Sequence, residues 1–451
     1  MATRSTAAVP PSVPTDLIGG HFRSFRRDPT GFLTRLAALG DVTAFRLGPQ
    51  QAYFLNDPEM IRDLLVVSAH KFKKGRALQR AKSLLGEGLL TSEGEFHLRQ
   101  RRMIQPAFHR ARIAEYSRSM TAFAEETSAK WHDGETLDID REMMHLTLRI
   151  VGKTLFSANV EDDADAVGHA MTSVSTLFNF LLLPFSEWLQ KLPLPQSKRF
   201  NDARNTLNDV IYGIIDDRRR SGEDKGDLLS MLLLARDEDD GSMMSDEQIR
   251  DEAMTLFHAG HETTANLLTF TWYLLSQNPH AESLLHREID HVLAGRSPTL
   301  DDIPKLKYCE NVVAESMRLY PPAWAVGRLA TDDHAFGGFR IAKGSLFIVS
   351  PYVTQRDPRF WDDADKFKPE RWESRPVKEA SQKNIYFPFG GGVRRCIGES
   401  FAWTEGVLLL ATLAQKWRAE LDPSQKVGLQ PMMTLRPKYG MRMRLAARSR
   451  R

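Results

Sequence analysis

The chain has 451 residues, ample for a large core, with 61 Lys and Arg against 58 Asp and Glu and a formal net charge of +3. So slight a basic excess gives no argument for a nucleic-acid partner. Two cysteines, Cys309 and Cys396, exclude a disulfide framework and suit a reducing compartment. No run reaches the roughly 18 apolar residues of a membrane span.

Residues 1–20 are rich in Ala, Ser, Thr and Pro and lack an apolar h-region. They read as a flexible lead rather than a signal peptide, so a cytoplasmic protein without a membrane anchor is expected. A helical pattern covers 32–39. Strand-like spacing follows over 41–47 and 51–55, around Gly48-Pro49. Most of the next 250 or so residues carry helical periodicity. Within them His97 and Arg101 stand four apart and share a helix face, while Arg99 and Arg102 read as a solvated charged face. The apolar stretch 174–188, with Phe178, Phe180, Leu181 and Phe185, reads by its composition as core. Residues 221–226 and 237–245 read as loops.

A long helix is predicted over 245–278. Ser245 and Gln248 form a capping-box pattern at its start, and Asn278-Pro279 ends it. At about 1.5 Å per residue it spans roughly 50 Å. Its middle reads Ala259-Gly260-His261-Glu262-Thr263-Thr264. Polar groups inside an otherwise apolar helix cost free energy unless they are paired or used. Gly260 is a poor helix former, and the threonines can bond back to the backbone and bend the ladder. Further on, Glu315 and Arg318 form an i,i+3 pair stopped by Pro321-Pro322, itself a common surface pattern. Ala323-Trp324-Ala325-Val326-Gly327-Arg328 follows. Strand-like pieces return at 335–348 and 432–445, and the basic 442–451 reads as a solvated end. Cys309 reads as an ordinary core residue.

Cys396 carries the most information. It lies in Phe387-Pro388-Phe389-Gly390-Gly391-Gly392-Val393-Arg394-Arg395-Cys396-Ile397-Gly398, ahead of a helical pattern over 400–417. The glycines let the backbone approach a flat, bulky object. Arg394, Arg395 and the start of a helix favour thiolate over thiol. A single thiolate cannot hold zinc or an iron–sulfur cluster, but it can serve as the axial ligand of haem. The loop lacks the Lys-Ser/Thr of a phosphate cradle.

Phe389, Gly392, Arg394, Cys396 and Gly398 fill every fixed position of F-x-x-G-x-R-x-C-x-G, and this stretch resembles the haem-binding signature of cytochrome P450. The long helix resembles that family's oxygen-binding motif A-G-x-[DE]-T-T from Ala259 onward. Glu315-Ser316-Met317-Arg318 with Pro369-Glu370-Arg371-Trp372 is similar to its E-x-x-R and P-E-R-[FW] elements. The motifs fall in family order over about 20–445.

The resemblance implies a mainly α fold with a minor β part and haem between the long central helix and the Cys-loop. It implies a single domain over 21–445, between the lead and a basic tail at 446–451. Haem b would be held by Cys396 as the one protein ligand of the iron, in contact with Ala259 and Gly260. His97, Arg101 and Arg328 would meet the propionates, although the family usually has tryptophan where this chain has His97. Glu262 and Thr263 would form the acid–alcohol pair that delivers protons during oxygen activation, with Thr264 in support. Glu315, Arg318 and Arg371 would be a structural triad. Phe178, Leu181, Phe257, Ala325, Val326 and Met433 would line the substrate pocket.

The activity so implied is hydroxylation or epoxidation of a hydrophobic small molecule, whether terpenoid, fatty acid or steroid-like, using O2. Lacking a flavin module or a cysteine cluster, a monomeric enzyme of a soluble bacterial type would draw electrons from a ferredoxin or flavodoxin and its reductase. Arg99, Arg102, His109, Arg110, Arg112 and Arg395 would form a basic docking face for that carrier. A peroxide-driven peroxygenase is disfavoured by the intact Glu262-Thr263 pair. A haem-binding sensor is disfavoured because no output module fits in the length.

Overall fold

Ser245 caps the longest helix by the reciprocal pattern its spacing predicts. Its hydroxyl accepts from the Gln248 backbone N–H at 3.2 Å, and the Gln248 side chain accepts from the Ser245 N–H at 2.8 Å. The helix then runs Asp246–Gln277. The structure is a computed structural model that describes residues 10–15, 19–157, 170, 173, 192, 194–237 and 240–448. Its strands are β1 (Val42–Leu47), β2 (Gln50–Leu55), β3 (Phe72–Lys74), β4 (Thr136–Asp138), β5 (Val326–Ala330), β6 (His334–Phe336), β7 (Phe339–Ile341), β8 (Leu346–Val349), β9 (Trp417–Leu421), β10 (Leu429–Pro431), β11 (Leu435–Pro437) and β12 (Arg442–Ala447). Helix dominates over this short-stranded β part. Among the described residues no helix is long and apolar enough to cross a membrane.

The chain divides into two compact units. The first comprises Met1–Gln79, Ala323–Lys366 and Arg375–Cys396. Its sheet has the order β1-β2-β8-β5-β3, with β2 and β8 parallel and the other neighbours antiparallel. Leu64, Leu65, Phe72, Phe336, Phe347, Val349 and Phe387 pack into one apolar cluster with it. Part of the lead belongs to this unit rather than floating free. The Pro11 carbonyl accepts the Ala44 N–H at 2.8 Å, and the Val13 carbonyl lies 2.9 Å from Nε2 of His21.

The second unit comprises Arg80–Pro322, Phe367–Ser374 and Ile397–Arg451. The long helix packs against helices Ile139–Phe156 and Glu399–Ala414. Gly260 permits the first of these approaches, because a Cβ there would come within 3.0 Å of Val151. Helix Glu399–Ala414 is apolar nearly all round and buried from Thr404 onward, as a core helix should be.

Two sequence expectations change here. The helix placed at 400–417 ends at Ala414, and Trp417 opens β9 instead. The basic stretch from Arg442 is not a solvated end. It forms β12, paired with β9 and β4, and Arg448 bonds the Ala414 carbonyl at 2.6 Å and Asp290 at 2.7 Å. The cause is alternation: Met443 and Leu445 are buried while Arg442 and Arg444 point outward.

Candidate active site

In the first unit, the loop carrying Cys396 is closed by its own backbone. The Cys396 N–H donates to the Phe389 carbonyl at 2.9 Å, Arg395 to Gly392 at 3.0 Å, and Gly390 to Phe387 at 3.0 Å. Gly390 and Gly392 have φ of 71° and 65°, a left-handed conformation that glycine alone adopts freely. Gly392 has a second reason to be glycine. A Cβ there would stand 2.2 Å from the Leu65 carbonyl oxygen, which is backbone and cannot yield. Behind the loop Phe387 is buried, and its N–H donates to the buried Gln355 side chain at 3.0 Å.

The Cys396 thiol is exposed. Cys309 is its opposite: wholly buried, with Sγ 3.7 Å from the Val407 carbonyl and its pKa pushed well up by desolvation. Cys309 is therefore a poor thiolate ligand. Among the described residues no group of three or more His, Cys, Asp or Glu side chains could hold a metal ion. An exposed thiol on a tightly closed glycine loop, without companion ligands, fits a prosthetic group that brings its other metal ligands with it, as haem does.

Arg328 is buried in β5, in register with Lys74 of β3 and Phe347 of β8. It donates to the Gly327 carbonyl at 3.0 Å. Ala325 and Val326 are half-buried just before it, and Val326 opens β5, a strand absent from the sequence reading.

In the second unit, Glu262 is 2% exposed. Its Oε1 accepts from the Thr434 hydroxyl at 2.6 Å and lies 3.9 Å from Nε of Arg436. Its Oε2 lies 3.5 Å from Nε2 of His258. Thr263 is half-buried and donates its hydroxyl to the Ala259 carbonyl at 2.7 Å, the back-bonding expected of a helical threonine. Thr264 is buried beside Glu405 of helix Glu399–Ala414 rather than with the partners of Glu262. Desolvation pushes Glu405 up to about 8, so it is largely neutral near pH 7, the Thr264 hydroxyl offsetting part of that shift. Burial lowers both neighbouring histidines, His261 to about 4, against the opposing charge of Glu262.

His97 is buried in helix Gly94–Ile104, with Nδ1 3.4 Å from the Ser92 hydroxyl. Arg101 is half-buried in the same helix. Glu315 has no exposed surface and gathers five donors. Arg318 gives Nε at 2.9 Å and Nη2 at 2.8 Å, Arg371 gives Nε at 2.9 Å, and the Lys368 N–H and Trp372 indole N–H each lie at 3.0 Å. Among the cations expected on a docking face, Arg99, Arg102 and Arg112 have acidic partners. Arg99 and Arg102 lie 2.9 and 3.7 Å from the buried Asp237, and Arg112 lies 3.0 Å from Glu115. Arg99 and Arg102 are thus charge-compensated, not a freely solvated face.

Among the expected pocket residues, Phe257 packs its ring on Phe156 at 5.5 Å, within an apolar cluster that includes Leu207, Ile211 and Leu229. Met433 is half-buried between β10 and β11. Phe178 and Leu181 lie outside the described residues. Sequence reasoning missed His258, Asn266, Thr434, Arg436 and Asp140. A signal was present: His258, Glu262 and Asn266 recur every fourth residue, one polar stripe on an apolar helix.

The cytochrome P450 family model matches residues 10–443. Cyclooctatin synthase of Streptomyces melanosporofaciens is 41% identical over 420 residues, 93% of this chain and 91% of its own. Cyclooctat-9-en-7-ol 5-monooxygenase of the same organism is 38% identical over 421 residues, 93% of this chain and 90% of its own. Pentalenene oxygenase of Streptomyces avermitilis is 38% identical over 432 residues, 95% of each. A match of this length and identity shows that the chain belongs to the cytochrome P450 family, as a haem b thiolate monooxygenase that acts on a hydrophobic substrate with O2 and electrons from a redox partner.

Proposed function

We propose that this enzyme oxygenates a terpenoid, a ring-bearing hydrocarbon or an alcohol derived from one. The observation that carries the reading is the set of relatives at 38–41% identity, each aligned over at least 93% of this chain. Two of their names state an oxygenation, of pentalenene and of cyclooctat-9-en-7-ol, and by nomenclature these are an unsaturated hydrocarbon and an unsaturated alcohol.

In this reading Cys396 would hold the haem iron, and His97, Arg101 and Arg328 would hold the propionates. Haem b, when bound, supplies the reductive O2 chemistry that places one oxygen atom in a C–H or C=C bond and reduces the other to water. Glu262 is the proton donor, held by the Thr434 hydroxyl. Thr263 is its alcohol partner, and Thr264 fixes the helix against Glu405. Ala325, Val326 and Met433 face substrate. Residues 21–445 act as one catalytic domain of a cytoplasmic monomer. Electrons come from a ferredoxin or flavodoxin drawn to the basic face of Arg99, Arg102, His109, Arg110, Arg112 and Arg395.

The test is a titration of the haem-loaded protein with pentalenene, cyclooctat-9-en-7-ol, a C16 fatty acid and a steroid, followed by turnover with a reduced ferredoxin. A Soret shift and a hydroxylated product are expected with the first two. A shift and product confined to the fatty acid or steroid would overturn the terpenoid reading.

A further inference from the structure

Glu262 is one member of a buried polar cluster that the acid–alcohol reading does not use. His258, Glu262 and Asn266 stand on one stripe of the long helix, all buried. Across from them the Thr434 hydroxyl takes a hydrogen bond from Asn266 Nδ2 at 3.0 Å and gives one to Glu262 at 2.6 Å. Two residues along, Arg436 reaches both ways. Its Nε lies 3.9 Å from Glu262 Oε1, and its Nη2 lies 3.8 Å from Oδ2 of Asp140, on helix Ile139–Phe156. The side chains of Asp140 and Arg436 are each 12% exposed and that of Glu262 2%. The cluster therefore grades from a sealed carboxylate to one with access to solvent.

Several of its atoms are buried without a protein hydrogen bond: Asp140 Oδ1, both nitrogens of His258, Nδ1 of His261 and Oδ1 of Asn266. Buried polar atoms in native proteins are satisfied by protein or by ordered water. These atoms, on residues that neighbour Glu262 or share Arg436 with it, are therefore positions where ordered water would bond.

We propose that Asp140 is the proton-loading residue for Glu262, taking protons from solvent and passing them inward along water held by His258, Asn266 and Arg436. This rests on the reading of Glu262 as the proton donor. One proton enters at Asp140 for each proton that leaves Glu262, so charge within the cluster is conserved. Arg436 positions both carboxylates without giving up its own proton. The charged groups acting on Asp140 are Arg436 from β11, Glu262 from the long helix and Asp138 at its own helix start, while His258 and His261 lie next to Glu262 and Arg436. Burial raises Asp140 to about 6, against the pull of Arg436, so it exchanges protons near neutrality. His258 and His261 are held neutral by burial, which leaves Asp140 as the group with the fitting charge change.

The experiment compares the haem-loaded wild type with Asp140→Asn, Asp140→Glu, Glu262→Gln and the Asp140→Asn/Glu262→Gln double variant between pH 5 and 8. Asp140→Asn is expected to lower product-forming kcat about tenfold at pH 7, less than the roughly 100-fold or more for losing a general acid. Substrate Kd, read from the Soret shift, should hold, and Asp140→Glu should restore much of the rate. The double variant should be no slower than Glu262→Gln, because the two act in series.

A double variant as slow as the two single losses multiplied would overturn the relay, as would an Asp140→Asn enzyme with wild-type rate and pH profile. If Glu262→Gln itself turns over like wild type, the proton-donor reading falls first, and the two failures are told apart. Infrared difference titration of the resting protein gives a readout independent of turnover. Wild type should show a carboxyl C=O band titrating near pH 6 that Asp140→Asn lacks; persistence of that band would also overturn the assignment. Should Asp140→Asn fail to fold, Arg436→Gln carries the same test. Loss of the guanidinium should raise the band's midpoint by about one pH unit, and an unmoved midpoint would end the proposal.

Discussion

Replacing Glu315 by alanine should destabilise the fold more than any surface ion-pair change. Arg318 has no exposed surface and would be left with a buried positive charge. The Arg371 guanidinium, the Trp372 indole N–H and the Lys368 backbone N–H would lose their shared acceptor as well. Removing one partner of a buried pair costs about 3–5 kcal/mol, most of it the stranded charge rather than the value of the pair. Unfolding entropy near 2 cal/mol/K per residue gives about 0.9 kcal/mol/K for a chain of this length. The melting temperature should therefore fall by about 3–5 °C. Asp217→Ala, which removes the Arg220 partner from an exposed pair, should stay within about 1 °C because exposed pairs contribute about 0–1 kcal/mol. Scanning fluorimetry of the haem-loaded variants at one heating rate is the assay. A Glu315→Ala protein that melts with wild type would refute the reasoning.

Cys396→His should abolish the thiolate-type Soret band of the reduced carbon-monoxide complex, while Cys309→Ser, at a buried thiol unfit for ligation, should keep it; the opposite pattern would reassign the ligand. Thr263→Ala leaves the helical ladder intact, since the lost bond is a side-chain bond to the Ala259 carbonyl, so stability should change by less than about 1 kcal/mol. Its product per electron consumed should nevertheless fall roughly tenfold with peroxide made instead, and unchanged coupling would remove Thr263 from the proton pair.

The parts of this enzyme legible in the sequence are those whose reasons are local. The Ser245 capping box needs four residues, and the constraint at Gly390 is a backbone dihedral within one turn. The motif spacing around Cys396 is local in the same sense. Gly392 is the intermediate case. Its left-handed φ is readable from the loop, but its contact with the Leu65 carbonyl, the reason even a methyl would clash, comes from a segment more than 300 residues away. Strands β3 and β5 escaped notice because three to five residues do not establish a period of two. The basic C-terminal stretch misled because its charges are conspicuous, while the Met443 and Leu445 alternation that buries it is short.

The surroundings of Glu262 show what locality leaves out. An acid in an apolar helix announces a use, but whether it rests as a bound carboxylate or as part of a proton path depends on what the fold brings against it. Thr434 and Arg436 arrive from more than 170 residues downstream, and Asp140 from more than 120 upstream. Met433 is expected at the substrate pocket, yet its neighbour Met432 packs in the interior, and the same segment reaches Glu262 through Thr434 and Arg436. The same holds for Arg99 and Arg102. Their positive run is plain in sequence, and the Asp237 that compensates them lies about 135 residues on. A charge cluster read from sequence fixes the inventory of groups, whereas the field those groups produce is a tertiary quantity. That is why the motif residues could be named from the sequence and the proton-loading side of the site could not.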